Sequence, residues 1–267
     1  MATYLDRIGA WHRQRAANDD RDLSALAAAA RRQGAGRDFE GALRACGTSG
    51  HRVALIAEIK RRSPSRGDID ANLDPAQVAR DYSAGGAAAL SVLTDGPHFL
   101  GSAQDLCSAR AAVGLPVLRK DFTVSEADLY DARAMGADAV LLIVALLGDS
   151  ELAAFSERAG ELSMAALVEV HDERELERAL RVGARLVGVN QRDLHSFEVD
   201  RERALRLASL MPEGTLAVAE SGIETPEQVE QLREAGFDAV LVGESLLRAP
   251  DRRAAAAQLS GRTVPCG

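Results

Sequence analysis

The feature that most limits what this chain can fold into is an eightfold alternation of short apolar runs with amphipathic segments. The runs are VALIAEIK (53–60), AALSVLT (88–94), LPVLRKDF (115–122), ADAVLLIV (137–144), AALVEVHD (165–172), RLVGVNQRD (185–193), LAVAESGI (216–223) and DAVLVGES (238–245). Apolar runs of this length fit buried strands. Several of the segments between them, such as DPAQVARDYSAG and TPEQVEQLREAG, open on Asp, Ser or Thr and close on Gly, the start and stop signals of helices. Strands alternating with helices predict a parallel sheet. An internal repeat selects a closed barrel over an open doubly wound sheet. Gly86, Gly136, Gly183 and Gly236 each end a helical segment just before runs two, four, six and eight, at spacings of 50, 47 and 53 residues. That period is two strand–helix units, so the chain reads as four quarter-barrels. The fold expected is α/β, a (β/α)8 TIM barrel, for which about 250 residues is typical.

The barrel has an N-terminal helical extension. In LDRIGAWHRQRA, Leu5, Ile8 and Trp11 recur at spacing three; LSALAAAARRQ follows, then a break at Gly34 and Gly36 and a second short helix, DFEGALRAC. The expected organisation is a single domain: residues 1–50 as the extension, 51–255 as the barrel and 256–267 as a C-terminal tail.

Composition narrows the function classes. A net charge of -8 without long like-charge blocks argues against nucleic acid as a partner. The start, MATYLDRIGAWHRQR, has no apolar signal-peptide core, and no stretch is apolar enough for a membrane span. Cys46, Cys107 and Cys266 form neither a disulfide framework nor a zinc pattern, which fits reduced thiols in the cytoplasm. His12, His51, His98, His171 and His195 show no ligand spacing, so no metal is expected.

One bias is informative. Of the 32 basic side chains only Lys60 and Lys120 are lysines. A chain that uses Arg for every generic cation keeps lysine where Arg cannot serve. Both lie at carboxyl-terminal strand ends, where such barrels build active sites. Alternation puts Glu58 and Lys60 on one face of run one, and Asn190 and Arg192 on one face of run six. Lys120, Glu169, Glu220 and Ser221 sit at the ends of runs three, five and seven. Charges there cost several kcal/mol unless paired or functional. Two lysines facing three glutamates satisfy that, either as a catalytic cluster or as ion pairs that merely close the mouth. A lysine partly desolvated beside another cation would have its pKa lowered by about 1–3 units, and so could donate a proton near neutrality.

A second signal is Gly222 and Gly243, each where a strand passes into a helix after runs seven and eight. Their N–H groups suit a phosphate, although Gly is also common in ordinary turns. The loop RRSPSRGDI offers Ser63 and Ser65 among Arg61, Arg62 and Arg66 for an anion, or is a solvated turn with ordinary arginines. Phe99 and Phe122 lie past runs two and three, where they could stack on an aromatic substrate or pack in the core. His171 follows Glu169 and either lines or supports the site.

In this order IAEIKRRSPSRGDI, SVLTDGPHFLGS, LPVLRKDF, LVEVH, GVNQRDL, AESGI and VLVGES closely resemble the indole-3-glycerol-phosphate synthase family of tryptophan biosynthesis, over about residues 1 to 250. The resemblance implies a carboxy-lyase without cofactor. It would convert 1-(2-carboxyphenylamino)-1-deoxyribulose 5-phosphate to indole-3-glycerol phosphate, releasing carbon dioxide and water. It implies Lys120 as the general acid at the ribulose carbonyl, Glu169 as stabiliser of developing positive charge and proton relay, and Lys60 at the anionic groups and in dehydration. Glu58 would orient the lysines; Asn190, Glu220 and Ser221 would hold the ribulose hydroxyls and the anilino nitrogen. Ser63 and Arg192 would hold anionic groups, Gly222, Gly243 and the Glu244 backbone the phosphate, and Phe99 and Phe122 the anthranilate ring. Two departures stand out: Gln191, expected to face away from the axis with little effect, and Glu244, whose side chain must point outward if a phosphate is to bind. The alternatives are another phosphate barrel, such as a Schiff-base aldolase or a sugar-phosphate isomerase, and a catalytically silent subunit. The expected partner is a phosphorylated small molecule, and the expected state a monomer rather than an oligomer.

Overall fold

The computed structural model describes residues 3–48, 52–63, 67–193 and 198–262. His51, Ser65, Arg66, His195 and Cys266, all singled out in the sequence, lie outside the described residues.

Each of the eight apolar runs forms a strand: β1 (Ala54–Ile59), β2 (Ala89–Leu93), β3 (Val117–Lys120), β4 (Ala139–Ile143), β5 (Ala165–Val170), β6 (Leu186–Asn190), β7 (Leu216–Glu220) and β8 (Ala239–Val242). They pair in parallel in chain order, and β8 closes on β1, giving the eight-stranded barrel that the repeat predicts. The four repeat glycines all follow helices in the left-handed region, with φ of 90°, 91°, 79° and 99°. A side chain is strained in that conformation, so the repeat records one helix stop used four times.

Alternation along the strands sorts two apolar layers. Leu55, Ala57 and Ile59 face the surrounding helices. Ala54, Ile56, Leu118, Leu141, Leu167, Val218 and Leu241 fill the interior. Three helices precede the barrel: α1 (Tyr4–Ala17), α2 (Leu23–Arg31) and α3 (Phe39–Thr48). The two segments before the Gly34 break form separate helices, and Asp22 caps α2 by accepting from the Ser24 N–H. From α3, Phe39 and Leu43 join the interior cluster with Ala54, Ala139 and Ala239 at the amino-terminal strand ends. The opposite end of the barrel is left open to α1.

Candidate active site

The carboxyl-terminal strand ends surround a cavity of about 480 Å³. All fourteen residues expected at the site line it: Glu58, Lys60, Ser63, Phe99, Lys120, Phe122, Glu169, Asn190, Arg192, Glu220, Ser221, Gly222, Gly243 and Glu244. The side-chain period explains the selection. Lys120 points into the mouth, whereas Arg119 points outward, donating to Thr94 Oγ1 at 3.0 Å, Asp121 Oδ2 at 2.8 Å and the Asp128 carbonyl at 2.7 Å. Where a cation only braces strand to helix, this chain uses Arg.

Lys120 Nζ donates to Glu220 Oε2 at 2.6 Å and Glu169 Oε2 at 2.9 Å. Lys60 Nζ donates to Glu58 Oε1 at 2.6 Å. Asn190 ties the glutamate side of the site together. Its Nδ2 donates to Glu169 Oε1 at 3.3 Å, while its Oδ1 accepts from Ser221 Oγ at 2.9 Å and the Arg192 N–H at 3.0 Å. Two glycines make room for carboxylates. A Cβ on Gly188 would meet Glu220 Oε1 at 2.1 Å, and one on Gly243 would meet Glu58 Oε1 at 2.6 Å.

The charge balance corrects one expectation. Lys120 is not acidified by a neighbouring cation. Burial does favour its neutral form, but Glu169, Glu220 and Glu58 outweigh that and raise its pKa above the usual lysine value. Lys60 is held by its own strand neighbour Glu58, so the two lysines occupy separate ion pairs. Burial also raises Glu169, but Lys120 and then His171 pull it below the ordinary carboxylate range. Glu220 goes the other way. Burial, with Glu169 and Glu58 opposing its charge, outweighs Lys120 and pushes it up to about 7.

The Glu220 shift makes a stability prediction. Its folded value, about 7, lies above the ordinary 4.5, so folding favours the protonated form. The stability it contributes is fully present below pH 4.5 and is lost as pH rises through 7. From about pH 5 to about pH 8, the stability of wild type relative to Glu220→Gln is expected to decline in denaturant titrations. A pH-independent difference would contradict the raised value.

The turns after β7 and β8, expected to cup a phosphate, line the cavity through Gly222 and Gly243. Ser221 and Gly222 both adopt left-handed φ, 68° and 73°. Only glycine fits at 222, where a Cβ would also meet Val199 Cγ1 at 2.3 Å. Ser221 is held in this strained state partly by Gln191, which is buried and donates to the Ser221 carbonyl at 2.8 Å. Gln191 therefore braces the site, a role that alternation alone did not reveal. Gly243 is the N-cap of the short helix Glu244–Arg248 and, having no side chain, makes no side-chain cap hydrogen bond. The Glu244 carboxylate faces Arg248 one turn on, at 3.4 Å. Two of the loop arginines are held in ion pairs: Arg61 with Asp105 at 2.8 Å and Arg62 with Asp68 at 2.6 Å.

Sequence reasoning missed what α1 brings. Tyr4, Leu5 and Ile8 line the cavity beside Phe99 and Phe122, whose rings lie 6.1 Å apart. Buried His12 docks the helix, with Nε2 against Asp95 Oδ2 at 2.8 Å, and His98 Nδ1 meets the same oxygen at 3.0 Å. These three could offer ligand atoms within 4.8 Å of one another. However, His12 Nδ1 is buried without a partner among the described residues, whereas a ligating histidine ordinarily donates its second nitrogen to an acceptor. The cluster fits a hydrogen-bonded clamp better than a metal site. Its spacing of 83 residues, from His12 to Asp95, leaves no local signal.

Comparison with known proteins decides the family. The sequence pattern described as "Indole-3-glycerol phosphate synthase" matches residues 5–259. The chain belongs to the indole-3-glycerol phosphate synthase family. It is 48% identical over 265 residues to the family's protein from Paracidovorax citrulli, covering 97% of this chain and 99% of that one. It is 52% identical over 225 residues to one from a Polaromonas species, covering 84% and 85%. Among solved structures, 3-hexulose-6-phosphate synthase superposes with a TM-score of 0.62 at 17% identity, over 78% of this chain and 99% of that chain, which shows the shared barrel alone. The family's reaction is a step of tryptophan biosynthesis: the decarboxylating, dehydrating ring closure of 1-(2-carboxyphenylamino)-1-deoxyribulose 5-phosphate to indole-3-glycerol phosphate. The chain is thus a carboxy-lyase, and the aldolase, isomerase and silent-subunit alternatives fall away.

Proposed function

We propose that Lys120 is the general acid of this ring closure, protonating the ribulose carbonyl oxygen as the anthranilate ring attacks it. The observation that carries this reading is its seat between Glu169 and Glu220 in the cavity wall. A lysine with a raised pKa still suits the task. The acceptor becomes an alkoxide, whose conjugate acid resembles water, with a pKa of about 15.7, so transfer becomes favourable as the bond forms. Glu169 stabilises the positive charge developing on the anilino nitrogen and relays protons. The substrate carboxylate then leaves as neutral carbon dioxide, so one proton is taken up per turnover.

Lys60, positioned by Glu58, contacts anionic groups of the substrate and assists loss of the hydroxyl, with Glu58 acting in that proton transfer. Asn190, Glu220 and Ser221 hold the ribulose hydroxyls and the anilino nitrogen. Ser63 and Arg192 hold anionic groups, and Phe99 and Phe122 take the anthranilate ring. Gly222, Gly243 and the Glu244 N–H hold the phosphate, which needs the Glu244 carboxylate turned toward Arg248. The same reading makes the chain a single-domain, cofactor-free, cytoplasmic monomer with no nucleic-acid or membrane partner. Among the described residues no helix is long and apolar enough to cross a membrane.

The mechanism is non-covalent at both lysines. Borohydride added with substrate is expected to leave Lys60 and Lys120 unmodified by mass spectrometry. A stable substrate adduct on either would overturn the assignment.

A further inference from the structure

Behind Glu169, on the side away from Lys120, lies a histidine that the mechanism above does not use. His171 Nε2 faces Glu169 Oε1 at 3.5 Å. Its other nitrogen, Nδ1, meets Glu175 Oε2 at 3.0 Å, and that oxygen also accepts the His171 backbone N–H at 2.8 Å. The side chain is 13% exposed, and Nε2 is buried with no hydrogen-bond partner among the described residues.

This geometry restricts the ring's protonation. Glu175 fixes a proton on Nδ1, so neutral His171 would aim a lone pair at the Glu169 carboxylate. Protonated His171 instead aims an N–H at it. Among the described residues, charged groups act on the ring from three elements: Glu169 from β5, Glu175 from the helix Glu173–Arg181 and Arg203 from the helix Arg201–Ala208. Burial and Arg203 favour the neutral ring, but the two carboxylates prevail and raise the pKa above 6.5.

We propose that His171 is a positioning residue for the ring closure: as an imidazolium it competes with Lys120 for Glu169 and so makes Lys120 a better acid. The inference rests on the acid role given to Lys120 above. When Lys120 hands its proton to the carbonyl oxygen, Glu169 loses its cation in a buried mouth that already holds Glu220. Uncompensated, that charge is costly. A cation on the other Glu169 oxygen supplies the compensation and is itself unchanged by the step. His171 does not line the cavity, so substrate binding is left to other groups.

The test is the pH dependence of kcat for wild type, His171→Gln and Glu175→Gln, with KM and thermal unfolding measured alongside. Wild type is expected to lose kcat as pH rises through the His171 titration, followed independently by histidine NMR. His171→Gln is expected to lack that alkaline limb and to run about tenfold slower below it, equivalent to about 1.4 kcal/mol, at nearly unchanged KM. Glu175→Gln is expected to move the limb to lower pH, because the nearest group raising the histidine pKa is gone. A limb in the wild-type position in both variants would overturn the proposal, even with lowered melting temperatures, which would mark a merely structural histidine. A wild type that forms no indole-3-glycerol phosphate would fail the functional reading instead, which separates the two failures.

Discussion

Lys120→Arg is expected to lose about 10²–10⁴-fold in kcat, the usual contribution of a positioned acid, while the protein stays folded by circular dichroism. The substitution keeps the positive charge, so the ion pairs with Glu169 and Glu220 can re-form. It removes the ability to lose a proton, because a guanidinium stays protonated throughout the working range. The comparison therefore separates proton donation from electrostatic attraction. If Lys120 served only as a charge, arginine would retain most of the turnover. Near-normal kcat in Lys120→Arg would refute the donor role.

Glu169→Gln is expected to lower kcat by at least about 10²-fold with a much smaller change in KM. Two effects oppose each other here. Removing a carboxylate 2.9 Å from Lys120 Nζ loosens the proton and should make the lysine a stronger acid. It also removes the anion that offsets positive charge on the anilino nitrogen and strands Lys120 with Glu220 alone. A unit-charge contact at 4 Å is worth about 4 kcal/mol at an effective dielectric constant of 20. The second effect acts on the reacting atoms themselves, so it should dominate. Steady-state kinetics decide it: an unchanged or raised kcat would show that Glu169 only restrains Lys120.

The parts of this site that follow from period and position were legible in the sequence. The eight strands follow from the apolar runs, the four glycine stops from the helix-end repeat, and the inward set Glu58, Lys60, Lys120, Glu169, Asn190 and Glu220 from alternation along buried strands. The rarity of lysine pointed to both lysines, and Arg119 beside Lys120 shows why, since the outward neighbour is an arginine. What was not legible depends on groups far apart in the chain. The contribution of α1 through Tyr4, Leu5 and Ile8, and its clamp of His12 on Asp95, join residues more than 80 positions apart. The direction of the Lys120 shift was misjudged for the same reason. Which charges surround it depends on three glutamates from three other strands, while Lys60 turns to Glu58 two residues away. Gln191, expected to have little effect, holds the Ser221 carbonyl, a role that needed the turn's actual conformation.

The central claim, that this lysine between two glutamates drives indole ring closure, is tested most directly by one assay. Purified wild-type chain and Lys120→Met are given 1-(2-carboxyphenylamino)-1-deoxyribulose 5-phosphate without added cofactor, and indole formation is followed by absorbance and fluorescence. Wild type is expected to turn over continuously and Lys120→Met to remain near background. Wild-type turnover no greater than that of Lys120→Met would contradict the claim.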